Sequence, residues 1–136
     1  MKRFIIASIL SGLLFGLLDG VINANPVATG LYAVFSPLVR PSINVPAGIV
    51  IDLAYGFLLA GLFLLLHTSL PGGTGLQKGM SYAVVIWFLR VVMSVLSQWM
   101  MFEIPAAALL YTLVTGLFEM LALGILYGLM LKPAAP

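Results

Sequence analysis

The sequence predicts an all-α integral membrane protein, a four-helix bundle forming a single domain. Three observations carry this. Of 136 residues, 62% are hydrophobic and 7% are charged, against about 25% charged in a soluble domain. Such a chain cannot clothe a surface that faces water. Four apolar stretches each reach the roughly 20 residues that a helix needs to cross a bilayer. Between them lie clusters of Pro, Gly and Asn that stop helices. Together these exclude a soluble enzyme, a nucleic-acid binder and a disordered tail. The absence of cysteine removes disulfides, thiolate metal sites and thiol catalysis.

The first span runs from about Phe4 to Ala24. Lys2-Arg3 ahead of an apolar run has the form of a secretory signal. Asp19 and Asn23 are foreign to a signal, however, and the bulky Ile22 occupies the place that wants a small residue before a cut after Ala24. The expectation is a retained helix. Gly12, Gly16 and Gly20 make two overlapping GxxxG steps, which let helix backbones approach.

The first connection is punctuated by Asn25-Pro26, Ser36-Pro37, Arg40-Pro41 and Val45-Pro46. It is also apolar, with Leu31, Tyr32, Val34, Phe35 and Leu38. An interfacial or re-entrant segment is expected in this first outer loop. The second span runs from about Ala47 to His67 and carries Asp52. Pro71-Gly72-Gly73 with Gly75 forms the next turn. The third span, about Gly79 to Phe102, holds Arg90 near its middle and Gln98 towards its end. Glu103-Ile104-Pro105 separates it from the fourth span, about Pro105 to Leu131, with Glu119 and a further GxxxG step at Gly124 and Gly128. Lys132-Pro133 closes the last helix, a cation and then a helix stopper.

Lys and Arg set orientation. Lys2, Arg3, Lys78 and Lys132 fall on one side and Arg40 alone on the other. Both termini are expected on the cytoplasmic side of an inner or plasma membrane.

Each span has one small and polar stripe at helical spacing. On the first it is Ser8, Gly12, Gly16, Asp19 and Asn23, and on the second Asp52, Gly56, Ala60 and His67. Arg90, Ser94, Ser97 and Gln98 mark the third, and Thr112, Thr115, Gly116 and Glu119 the fourth. Polar groups are costly against lipid, so the four stripes are expected to face one another. Leu53-Ala54-Tyr55-Gly56 can be laid on Leu113-Val114-Thr115-Gly116, a hint that the two halves are related.

Ionisable residues inside a membrane mark functional sites by default. Arg90 and Glu119 fall about one turn apart in depth on neighbouring antiparallel helices, which predicts an ion pair. It serves either as a register-setting clamp or as part of a pathway. Asp19 and Asp52 fall at similar depth, roughly 7–8 Å below the outer boundary. Arg40 is a candidate partner for these two acids, and Asp52 is also placed to favour a helix start. The lone His67 reads as a polar helix end. Tyr82, Trp87, Trp99, Tyr111 and Tyr127 read mostly as interface anchors.

No catalytic motif, metal-ligand set or cofactor signature is present. The sequence thus points to a non-enzymatic membrane protein whose partners are the bilayer and other membrane chains, with no nucleic acid. The first reading is an ion or small-solute transport or channel unit acting as a homo-oligomer, with Asp19, Asp52, Arg90 and Glu119 along the route. The alternative is a non-catalytic accessory subunit or assembly factor of a larger membrane complex.

Overall fold

The computed structural model describes residues 1–131; residues 132–136, including the Lys132-Pro133 stop, lie outside the described residues. Among the described residues every regular element is helical, and four helices are long and apolar enough to cross a membrane.

Helix α1 spans Lys2–Asn23. The connection to the next span is structured, as its apolar content requires. Asn25 caps α2 (Pro26–Leu31), its side-chain oxygen accepting from the Ala28 amide at 2.9 Å, with Pro26 in the first turn. Asn and Pro there satisfy one orphan amide and remove another. A 3-10 helix covers Ala33–Leu38. Asn44 then caps α3, Val45–Leu66, by accepting from the Ala47 amide at 3.1 Å. Asp52 therefore lies in the third turn of α3. It does not favour the helix start as expected, because the cap falls at Asn44.

The turn after α3 places Gly72 at φ +128°, a conformation that side chains resist. Thr74 and Gln77 form a reciprocal capping box. It starts α4 (Gly75–Trp87) at Gly75 rather than at Gly79. A π-helical turn, Phe88–Val92, continues the same rod into α5, Met93–Met101. There the Met93 amide reaches back five residues to the Phe88 carbonyl. Helix α6 spans Ala106–Met130.

The bundle is two tightly joined hairpins, α1 with α3 and α4–α5 with α6, and α1 also packs on α6. Glycine makes both joints. A Cβ on Gly12 would sit 2.8 Å from the Asp52 carbonyl oxygen, and one on Gly56 would strike the Ser8 carbonyl. In the other hairpin Gly75 meets Gly128 and Gly79 meets Gly124, each across the partner's backbone carbonyl. Gly116 faces Val91, whose methyls would lie 2.9 Å from a Cβ there. Gly20 has nothing within 4 Å of the place a Cβ would take.

The half of the bundle nearer the termini is filled. Phe63 stands edge-on to Tyr82 at 5.3 Å and lies stacked with Tyr127 at 5.9 Å. Met120 and Leu123 pack into the same core. Tyr82 and Tyr127 are 2% and 0% exposed, so they are core residues and not interface anchors. Their hydroxyls reach the core without penalty because backbone accepts them. Tyr82 donates to the Leu59 carbonyl at 2.7 Å and Tyr127 to the Gly56 carbonyl at 3.4 Å.

Candidate functional site

The opposite half holds a polar cavity of about 360 Å³, lined by residues that include Asp19, Arg90, Ser94, Thr112, Thr115 and Glu119. Three of the four polar stripes contribute to it. Tyr55 of α3 supplies part of the wall.

Arg90 sits at the centre of the π turn. Such a turn inserts one extra residue and rotates the rest of the helix about its axis, a feature common at functional sites. The guanidinium lies over two rings, 4.8 Å from the centre of Phe15 and 5.1 Å from that of Tyr55. Aromatic faces attract a cation, and more strongly when water is displaced. The predicted ion pair forms: Arg90 Nη1 lies 3.5 Å from Glu119 Oε2. It is a single long contact, not a bidentate fork. The Arg90 side chain remains 30% exposed. Glu119 is 5% exposed, and its Oε1 has no hydrogen-bond partner. A buried carboxylate oxygen without a donor is costly. Glu119 lies about 20 Å along α6 from Ala106 and about 17 Å from Met130, close to the middle of the span.

The remaining wall is rich in acceptors. Thr112 and Thr115 donate their hydroxyl protons to their own helix, at the Ala108 carbonyl (3.0 Å) and the Tyr111 carbonyl (2.7 Å). Their oxygen lone pairs are left for other donors. Tyr32 uses one of them, its hydroxyl 2.6 Å from Thr112 Oγ1. Asn25 donates to the Tyr111 hydroxyl at 2.8 Å, and that hydroxyl donates to the Ile22 carbonyl at 2.7 Å. These bonds fasten the connection between α1 and α3 over the end of α6. Asp19 Oδ1 accepts from Asn23 at 3.0 Å.

Asp52 and Gln98 stand outside this cavity. The Asp52 carboxylate lies over Gly16, in a separate apolar cleft of about 720 Å³ between α1 and α3 that Asp19 also borders. The Gln98 side chain donates to Ser94 Oγ at 3.4 Å. Arg40 pairs with neither acid: among the described residues the one ion pair is Arg90–Glu119. Its exposed connection leaves it free of both. His67, just beyond α3, is at the far end of the bundle, where Lys78 donates to its carbonyl at 2.7 Å. No group of three His, Cys, Asp or Glu among the described residues could hold a metal ion.

Comparison with known family models, curated proteins and solved structures finds no match.

Phe15, Tyr32 and Tyr55 are the site residues that stripe-reading misses. An aromatic beside a cation leaves no spacing signal in a chain that is 62% hydrophobic. The π turn likewise breaks the even 100° step on which stripes are drawn. It re-aims Arg90 relative to Ser97 and Gln98, further along the same rod.

Proposed function

We propose that this protein is a small transport or channel unit for ions or small solutes, acting as a homo-oligomer in a bilayer with both termini cytoplasmic. One observation carries the reading. At mid-span depth, a polar cavity holds a guanidinium and a buried carboxylate with one oxygen unpartnered. Charged groups at that depth are expensive and characteristically line solute or ion pathways. A helix clamp alone calls for closed, fully bonded geometry, and this pair is long and open.

In this reading Glu119 or Asp19 is the cation- or proton-responsive group. Arg90, held by Phe15 and Tyr55, is the fixed charge. The aromatic core around Phe63, Tyr82 and Tyr127 closes the route on the side of the termini. Because four spans are too few to enclose a wide pathway from one face of the bilayer to the other, a two-fold pair is the simplest functional unit.

The test is flux into vesicles containing the purified protein, comparing wild type with Glu119→Gln. Loss of at least about tenfold in flux, equivalent to about 1.4 kcal/mol on the barrier, is expected with assembly unchanged. A Glu119→Gln protein that assembles and keeps full flux would remove the reading.

A further inference from the structure

Resting on the transport reading, we infer that the polar cavity accepts a small zwitterion, a solute with one ammonium and one carboxylate of the size of the small α-amino acids. The unsatisfied groups on its walls are of both signs. Glu119 Oε1 is buried and lacks a donor. Arg90 spends one nitrogen on a single 3.5 Å contact to Glu119 Oε2. The guanidinium carries five N–H donors in a planar fork, so most of them remain open, and its side chain is 30% exposed.

A carboxylate suits that fork. An ammonium has three protons to give, and residues that carry acceptors line the same cavity: Glu119, Asp19 and Thr115, whose own hydroxyl proton is committed to Tyr111. A ligand with both charges thus meets both ends of a loosely joined ion pair. An ion of one sign would satisfy one end and leave the other.

Size agrees. About 360 Å³ leaves room for a small amino acid and lies at the lower end of the roughly 300–1,000 Å³ found for small-molecule sites. Charge agrees as well. With all three ionised, the two acids and one guanidinium on the wall sum to −1; a neutral zwitterion leaves that sum unchanged, whereas an anion would deepen it at mid-span, where charge is costly.

The experiment is binding to the full-length protein in phosphatidylcholine nanodiscs, read by equilibrium dialysis. Probes are glycine, L-alanine and L-serine, with ethylamine and propionate as single-charge analogues. At least one amino acid should bind saturably, and each single-charge analogue at least about tenfold more weakly, or about 1.4 kcal/mol. Glu119→Gln should weaken the amino acid at least tenfold but should not weaken propionate, because the Arg90 guanidinium that takes a carboxylate then loses its competing partner. Thr115→Val, a milder change, should weaken the amino acid several-fold and guards against a folding defect in the first variant.

Ethylamine or propionate binding as tightly as the amino acids would overturn the zwitterion. So would failure of all three amino acids to bind. If Glu119-dependent ion flux survives that failure, the transport reading stands without the zwitterion. If flux is absent too, both fall.

Discussion

Arg90 concentrates most of what is chemically unusual here. It is a cation at mid-span, on a π turn, between two aromatic rings and one long carboxylate contact. Exchanging the charges, Arg90→Glu with Glu119→Arg, separates clamp from pathway. The transport account expects the double variant to regain assembly lost in either single variant, because opposite charges again face each other. Flux should stay lost, because Phe15 and Tyr55 no longer hold a cation. Recovery of both, measured as oligomer yield and vesicle flux, would favour the clamp. The pair itself is legible in the sequence: two opposite charges at matching depth on helices joined by a short turn. Its aromatic cradle is not, since Phe15 and Tyr55 come from the other hairpin. His67 gives a separate prediction. Burial, and then the nearby Lys78 ammonium, push its imidazole below the ordinary value of 6.5. The folded state therefore holds fewer protons than the unfolded one, and stability falls as pH drops below that value. Thermal unfolding from about pH 8 to about pH 5 should show this decline, and His67→Gln should reduce it.

At the scale of elements, glycine decides how the helices meet. Gly79 and Gly124 face each other across backbone, as do Gly75 and Gly128. In a bilayer, where apolar surface alone does not drive helices together, such close approach supplies much of the packing energy. Gly79→Leu would force side-chain atoms into the Gly124 carbonyl and part α4 from α6. Overpacking typically costs about 1–3 kcal/mol, and the loss should appear as a lower unfolding midpoint in detergent. The same substitution at Gly20, which touches nothing, should leave the midpoint of the monomer unchanged. The GxxxG steps at Gly12–Gly16 and Gly124–Gly128 can be read from spacing. Gly75 and Gly79 make a step of the same spacing, but Gly75 falls in the turn ahead of the run that hydropathy selects, and Gly56 stands alone; which backbones they meet depends on which helices become neighbours. Hydropathy alone misses the start of α4 for a local reason: Thr74 and Gln77 form a capping box ahead of the run that hydropathy selects. The apolar content of the first connection foretells that it is structured. Its fastening to α6 through Asn25, Tyr32 and Tyr111 is a tertiary feature with no sequence periodicity behind it.

For the whole molecule, composition alone dictates the class. With 7% charged residues and four long apolar helices, the chain must bury its surface in lipid. Inside that constraint it is built unevenly, filled with aromatic core towards the termini and polar and hollow in the other half. The proposed solute site occupies the hollow half, and the aromatic core fills the other. Native mass spectrometry of the gently extracted protein should show a homo-oligomer free of other chains. Stoichiometric larger subunits would instead indicate an accessory role. The most direct test of the central claim is uptake by vesicles that contain this purified chain and no other protein. Saturable uptake of an ion or small solute above that of protein-free vesicles is expected. Vesicles holding correctly assembled protein, yet no more permeable than empty ones to any small ion or amino acid tried, would contradict it.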